Sequence, residues 1–213
     1  MKTNLITRIT VCVLLVLLIF GCARPLRKYF YVLNYVPDKL ESRRSETPYP
    51  VSIRLRPLSI EKAYARANIV YRVNPFQLDY YSNHLWAVRP VDMITDLIFS
   101  HLESIRLVET LVRRLDEQGA PDYELSGTIL ALEEYDSGDT WYAHLRISMV
   151  LTDFRTGRAV YSRIFDKTRI VEQQTQLAVV MALSQTMDFI ASLLMRDLDD
   201  FLFEATRTNL ESE

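Results

Sequence analysis

Trp-Tyr-Ala-His-Leu-Arg-Ile-Ser-Met-Val-Leu, residues Trp141–Leu151, is the stretch that decides the fold. Its odd positions are apolar and its even positions begin with Tyr, His and Arg, an alternation typical of a strand with one buried and one wetter face. Strand-like composition continues on both sides, in Tyr123–Glu134 and Ala159–Val171. Gly138 and Gly157 stand in the linkers, where hairpin turns favour glycine. The sequence therefore predicts a meander of three antiparallel strands.

Two helical patterns supply a layer that can cover the meander. Thr175–Phe203 repeats apolar residues at helical spacing and predicts a long C-terminal helix. Val91–Ser104 does the same over a shorter length and predicts a central helix. We therefore expect an α+β fold, an antiparallel sheet packed by both helices. One domain should occupy residues 29–204, with a frayed tail at 205–213.

The first half of the chain is rich in short strand patterns. Aromatic and β-branched residues predict strands at Tyr29–Val36 and Val51–Leu55, and a hairpin formed by Asn68–Val73 and Gln77–Tyr81. Ile105–Val112 has strand composition but would equally prolong the central helix. We favour a strand there.

Composition argues for a folded body of ordinary size. Among 213 residues, 49% are hydrophobic and 24% charged, as in average globular proteins. The charged residues are 25 basic and 27 acidic, and removal of Lys2 and Arg8 with an N-terminal signal would leave a net charge of −4. This balance gives no electrostatic reason to expect nucleic acid as a partner.

The N-terminus has the pattern of an export signal that ends in a lipidation site. Lys2 and Arg8 precede an apolar run, Val11–Phe20, which is too short to span a bilayer as a mature helix. Leu18–Cys22, Leu-Ile-Phe-Gly-Cys, resembles a bacterial lipobox. In such signals the peptide is cut before the cysteine, which is acylated, so Cys22 would become the first mature residue.

This interpretation divides the N-terminus into a signal peptide, residues 1–21, and a lipidated tether, residues 22–28. An uncleaved anchor or an ordinary secretory signal is the alternative. Cys12 lies inside the signal, so Cys22 is the only mature cysteine and no intramolecular disulfide can form.

The motifs of common enzyme classes are absent from the sequence. The glycines are scattered singly, so there is no phosphate-binding loop, and no Gly-x-Ser-x-Gly elbow appears. His84, His101 and His144 form no metal-ligand motif. We expect His144 on the wet face of its strand and His101 on a helix surface. The sequence predicts no catalytic residue, no metal site and no cofactor.

Acidic groups carry weaker signals. We interpret the acidic residues between Glu133 and Asp139 as a solvated hairpin turn, because their spacing does not match a calcium loop. Asp197, Asp199 and Asp200 lie near the expected end of the last helix and oppose its dipole. They hint at a surface that faces a partner.

Aromatic residues give a stronger indication of contact. Tyr80, Tyr81 and Trp86 are candidates for contact with a partner or ligand, since Tyr and Trp are enriched at interfaces. For Trp86, core packing is favoured over binding, because large aromatic side chains dominate protein cores.

Several segments together resemble the ABC-type transport auxiliary lipoproteins. They are Cys22 with the Tyr-rich strand after it, Ala67–Arg72 (Ala-Asn-Ile-Val-Tyr-Arg), and Gln77–Ala87 (Gln-Leu-Asp-Tyr-Tyr-Ser-Asn-His-Leu-Trp-Ala) with the helix behind it. The family also shows a strand like Tyr123–Ile129, a later strand, a turn and a last helix. Its early Tyr-x-Leu core is matched by Tyr31–Leu33 in a somewhat different context.

The resemblance implies a non-catalytic lipoprotein that works with a periplasmic MCE-domain protein, a permease and an ATPase. Such systems are implicated in moving lipids or other hydrophobic compounds across the bacterial envelope. Ala23 after the lipidated cysteine, rather than Asp, looks like the arrangement that permits sorting to the outer membrane. The chain would then be a docking component on its periplasmic face.

Other functions remain open from the sequence. A structural or assembly lipoprotein that supports an outer-membrane complex would share the tether and the α+β body. A lipid-anchored hydrolase would require Ser82 or His84 at hydrogen-bond distance from a carboxylate. Direct lipid binding under the long helix and assembly into a homo-oligomer are further possibilities.

Overall fold

The computed structural model describes residues 26–37, 43–113 and 119–211. The predicted signal, residues 1–21, and Cys22 lie outside these ranges. The helices are α1 (Pro90–Ile105) and α2 (Gln176–Glu211). The strands are β1 (Tyr29–Tyr31), β2 (Tyr49–Leu55), β3 (Ser59–Ile60), β4 (Asn68–Asn74), β5 (Gln77–Trp86), β6 (Val108–Val112), β7 (Tyr123–Ser137), β8 (Thr140–Asp153) and β9 (Ala159–Ile170).

The sheet is built on β7. One edge of β7 pairs antiparallel with β8 over the whole strand, from Tyr123 opposite Asp153 to Ser137 opposite Thr140. The other edge pairs in succession with three shorter parallel strands, β2, β3 and β4. β6 lies beside β2, β5 beside β4, β1 beside β5, and β9 beside β8. The nine-stranded sheet therefore forks at β7.

The core lies between this sheet and α2. Alternate side chains of β8, from Ala143 to Leu151, are buried and face α2, which packs on β8 and β9. Each large aliphatic side chain buried in this way contributes about 1.5–3 kcal/mol relative to exposure. Buried core residues of α1 and α2 include Ile94, Ile98, Leu102, Val179, Leu183, Met187, Ile190, Leu194, Leu198 and Leu202.

β7 and β8 approach each other closely at Gly127. A β-carbon at this position would lie 2.5 Å from the Ser148 carbonyl oxygen and 2.6 Å from the Met149 sulfur. Both distances are shorter than van der Waals contact, so any larger residue would have to displace the β8 backbone. Glycine is therefore needed for the close pairing of the two central strands.

α2 contains the one stretch of the described chain, Gln176–Thr208, that is long and apolar enough to cross a membrane. Length and composition do not separate such a segment from a core helix. In this structure Leu183, Met187 and Leu194 are buried against the sheet. The apolar residues of α2 thus form the core.

The predicted α+β class, the C-terminal meander, the central helix and the long C-terminal helix are confirmed. The sheet is mixed, whereas the sequence predicted antiparallel pairing. β2, β3 and β4 run parallel to β7, and β2 runs parallel to β6 across the α1 crossover. Hydrophobic alternation shows which face a strand buries but not whether the neighbouring strand runs parallel or antiparallel to it. The parallel pairing of β2, β3 and β4 could therefore not be predicted from the sequence.

Several boundaries also differ. β1 ends at Tyr31 rather than Val36, because the chain leaves the sheet to pack on α1, where Leu33 is buried and its amide contacts the Met93 sulfur. Ile105–Val112 contributes a strand, Val108–Val112. α2 continues past Phe203 to Glu211, into the stretch predicted as a frayed tail.

Candidate functional site

The three predicted contact residues occupy different environments along β5. Tyr80 is 49% exposed, and the Arg66 guanidinium lies 4.5 Å from its ring centroid. Tyr81 is half-buried and its hydroxyl donates a 2.8 Å hydrogen bond to Glu134. Trp86 is 4% exposed and belongs to the core. They do not form a common surface, and Tyr80 is the one that presents an exposed aromatic side chain.

An aromatic row crosses the edge of the sheet formed by β1, β5 and β4. We call Tyr29, Tyr31, His84, Tyr81 and Tyr71 the aromatic row. The His84 ring lies 5.1 Å from Tyr29, 5.7 Å from Tyr31 and 5.6 Å from Tyr81, centroid to centroid, and Tyr81 lies 4.6 Å from Tyr71. Parallel pairing of β1 with β5 places Tyr29 opposite His84. The row therefore attaches the first strand after the tether to the domain.

His84 is held in this row by packing and one hydrogen bond. The Tyr31 hydroxyl lies 2.8 Å from His84 Nδ1. Burial lowers the pKa of His84, and the neutral ring can accept the hydroxyl proton. The described residues include no carboxylate hydrogen-bonded to His84, so the arrangement expected of a His84-dependent hydrolase is not present in that part of the chain.

A second group of polar side chains lies on the sheet face opposite α2. We call Tyr64, Arg72, Glu133, His144 and Asp166 the polar cluster. Glu133 is 2% exposed and accepts hydrogen bonds from the Tyr64 hydroxyl at 2.6 Å, Arg72 Nε at 2.9 Å and His144 Nδ1 at 3.0 Å. His144 Nε2 lies 2.9 Å from Asp166 Oδ1. The cluster thus links β4 to all three strands of the meander.

Electrostatics in the polar cluster follow from these contacts. Burial alone would raise the pKa of Glu133, but hydrogen bonds from His144, Arg72 and Tyr64 lower it. Burial alone would lower the pKa of His144, but its hydrogen bonds to Glu133 and Asp166 raise it. The geometry therefore favours a charged pair, a carboxylate and an imidazolium.

The polar cluster borders a surface cavity of about 440 Å³. Glu133, Arg72 and His144 line it together with Arg146 and Thr168, and the described lining includes no serine or cysteine. Its charged side chains are engaged with one another, which suits a structural junction better than nucleophilic chemistry. The sequence alone does not reveal this group. Glu133 meets His144 only through the β7–β8 register, and Tyr64 and Arg72 come from distant segments of the chain.

Glu134 faces the other side of the sheet and has no exposed surface. Burial is the main cause that raises its pKa, to about 8, and nearby Asp136 adds to the effect. One carboxyl oxygen, Oε1, accepts a hydrogen bond from the Tyr81 hydroxyl. Burial therefore favours the protonated, neutral form of this side chain. The expectation of a solvated acidic turn is wrong for Glu133 and Glu134, which are buried because β7 extends to Ser137.

The aspartates of α2 face partners within the chain. Asp199 is 1% exposed and accepts hydrogen bonds from the Tyr49 hydroxyl at 2.7 Å and the Arg44 amide at 2.8 Å. Asp197 Oδ2 accepts a hydrogen bond from the Tyr161 hydroxyl at 2.6 Å. Both residues lie well before the end of α2 and contact groups of the same chain. They therefore do not indicate a surface that faces an external partner.

His101 is also buried rather than on a helix surface. It is 1% exposed, and its Nδ1 lies 3.2 Å from the Tyr35 hydroxyl. Across the ranges that the structure describes, no group of three or more His, Cys, Asp or Glu side chains is placed to hold a metal ion.

The family model described as "ABC-type transport auxiliary lipoprotein component" matches residues 31–193. The chain belongs to this family. The match runs from the end of β1 into α2, so it includes the aromatic row from Tyr31 onward and the whole polar cluster. No curated protein matches the chain in sequence.

Solved structures show the same fold as this auxiliary lipoprotein. Protein XCC0632 from Xanthomonas campestris, a DUF330 protein, superposes with a TM-score of 0.74 at 18% identity, over 84% of this chain and 99% of that one. A crystal structure of an uncharacterized protein gives a TM-score of 0.64 at 14% identity, over 81% and 99%. These likenesses concern the fold alone. Family membership makes the chain an auxiliary lipoprotein of an ABC transport system, anchored in the cell envelope.

Proposed function

We propose that this auxiliary lipoprotein is a non-enzymatic docking component on the periplasmic face of the bacterial outer membrane. It would serve an MCE-domain protein, a permease and an ATPase that move lipids or other hydrophobic compounds across the envelope. The observation that carries the proposal is the family match over residues 31–193. Cys22, seven positions before β1 begins at Tyr29, supplies the attachment point.

Attachment through Cys22 would hold the domain close to the membrane. One acyl chain gives only reversible binding, at about 0.8 kcal/mol per buried methylene, and the several chains of a bacterial lipoprotein make attachment lasting. The short tether keeps the aromatic row near the lipid surface. ATP chemistry would belong to the partner ATPase, in agreement with the lack of a phosphate-binding loop in this sequence.

Anchoring is tested by membrane fractionation of Cys22→Ala. We expect the variant to leave the membrane pellet after a high-salt wash, while Cys12→Ala, which changes the cysteine of the predicted signal, stays in the pellet. Retention of Cys22→Ala in washed membranes would show that the lipid anchor is wrong. Density fractionation should place the wild-type chain in the outer membrane and Ala23→Asp in the inner membrane.

Partnership is tested by affinity purification of the wild-type lipoprotein from crosslinked cells. Recovery of an MCE-domain protein with its permease and ATPase would support the transport proposal. Recovery of an outer-membrane barrel or secretin in their place would instead support the alternative, an assembly or structural lipoprotein. The Cys22→Ala chain provides a control for contacts that depend on membrane attachment.

A further inference from the structure

Among the residues that the structure describes, no strand pairs with the outer edge of β9. Its inner edge pairs with β8. The Val171 amide donates to the Trp141 carbonyl of β8. In an antiparallel ladder the backbone N–H and C=O groups of successive residues point alternately toward and away from the paired strand. The backbone groups of Ile164, Asp166, Thr168 and Ile170 therefore point away from β8. Such an edge is a template for an added strand.

The two faces beside this edge differ in chemistry. Arg163, Lys167 and Arg169 lie on the α2 side, in register with buried residues of β8. Ile164 and Ile170 lie on the opposite face and are 52% and 61% exposed. A strand added to β9 would thus meet cations on one face. On the other it would meet the two aliphatic side chains, with Asp166 and Thr168 between them.

Of the three cations on the α2 side of β9, two are available to a partner. Arg163 is already paired with Asp197 at 2.7 Å. Lys167 Nζ lies 5.4 Å from the Phe189 ring centroid, and within the described residues neither it nor Arg169 has a carboxylate partner. Asp166, on the opposite face, is engaged by His144 and Arg146. The free charge beside the edge is therefore positive.

There is room for side chains between β9 and α2. Cavities of about 210 Å³ and about 640 Å³ lie along this junction. Both are lined by Arg169 and Glu172 and, at the end of β9, also reach Ile170 of the opposite face. The α2 side chains Met181 and Phe189 border them and are 57% and 46% exposed. Glu172 is the acidic residue of both linings, and with Lys167 and Arg169 beside it the net charge here stays positive.

We propose that β9 binds an extended segment of another protein, which adds to the sheet as a strand and alternates acidic with apolar side chains. Its acidic face would meet Lys167 and Arg169, and its apolar face would meet Ile164 and Ile170. A second copy of β9 fits less well, because its own cations would then face Lys167 and Arg169. An acyl chain would leave the outward backbone groups unpaired. The inference does not depend on which transport system the lipoprotein serves.

The test uses the full lipidated chain in detergent and fluorescently labelled synthetic peptides. The probe is a peptide of alternating Val and Glu, as long as β9, and the comparison peptide alternates Val and Lys. Fluorescence anisotropy should show saturable binding of the Val–Glu peptide and much weaker binding of the Val–Lys peptide. The double variant K167E/R169E should weaken Val–Glu binding by about tenfold or more. The matched control R155E/R158E, in the exposed β8–β9 turn, should leave it unchanged.

A backbone variant tests the added strand itself. Thr168→Pro removes an outward amide and leaves the hydrogen bonds to β8 in place, so it should abolish peptide binding while circular dichroism stays unchanged. If Thr168→Pro does not fold, the charge-reversal pair decides alone. Equal binding of both peptides, or none, would overturn the proposal. The proposal would also be overturned if the wild-type chain formed oligomers that K167E/R169E dissociates. It would be overturned as well if the chain bound anionic vesicles through Lys167 and Arg169 but bound neither peptide.

Discussion

His144 lies between two carboxylates, and its protonation is therefore coupled to folding. Hydrogen bonds to Glu133 and Asp166 raise its pKa above 6.5 in the folded chain, against the opposing effect of burial. The stability that this contributes is fully present below pH 6.5 and is lost as the pH rises through the folded-state pKa. We expect His144→Gln to lower the free energy of unfolding by roughly 1–3 kcal/mol at pH 6, and by less at pH 8.

Urea unfolding of both chains between pH 5.5 and pH 8.5 measures this difference. His84→Gln is the matched control, because burial lowers the pKa of His84. The stability from neutral His84 is lost as the pH falls, so the two variants should show opposite trends with pH. A cost of His144→Gln that is independent of pH would mean that the imidazole is not charged in the polar cluster.

The sequence predicts some features of these residues and not others. Alternation in Trp141–Leu151 predicted the face on which His144 lies. Its partner Glu133 was not predicted. Which β7 residue lies opposite His144 depends on the β7–β8 register, and that register depends on the exact length of the turn between the two strands. Trp86 is buried, as its favoured interpretation as a core residue predicted, whereas Tyr80 is exposed.

At the scale of elements, α2 is joined to the sheet by polar contacts as well as by its apolar stripe. Asp199 is buried and receives the Tyr49 hydroxyl and the Arg44 amide. Asp200, the next residue, pairs with the Arg44 side chain where both side chains are 51% exposed. Removal of a buried acceptor leaves its donors unpaired, whereas removal of an exposed ion-pair partner costs little.

We therefore expect Asp199→Ala to lower the free energy of unfolding by roughly 2–4 kcal/mol, and Asp200→Ala by at most about 1 kcal/mol. Urea unfolding at pH 7 compares the two. The substitutions are adjacent in the same helix and carry the same change in helix propensity. Equal losses would contradict the role of Asp199 in attaching α2 to β2.

The helices were the elements that sequence predicted best. Apolar spacing located α1 and α2 because a helix reports its buried face within a few turns of its own sequence. The short parallel strands were harder to predict. β3 has only two residues, Ser59–Ile60, paired with Thr128 and Ile129, and its strand conformation depends on the edge of β7 that it meets.

At the scale of the whole molecule, the sheet depends on one strand. β7 contacts β8 on one edge and β2, β3 and β4 on the other, so loss of β7 would separate the two halves of the sheet. The meander could be read from consecutive sequence, because its strands are joined by short turns. The fork at β7 could not, because it joins segments separated by α1.

This arrangement predicts a gradient of amide hydrogen exchange across the sheet. Amides of β7 and of the β8 residues paired with it should exchange only through global unfolding, because both edges of each strand are covered. β1 pairs over three residues at an outer edge, and its Phe30 is 63% exposed. We expect β1 amides to exchange at least about a hundredfold faster than those of β7. Native-state exchange followed by mass spectrometry or NMR measures both. Equal protection of β1 and β7 would mean that the aromatic row holds β1 as firmly as the central pairing holds β7.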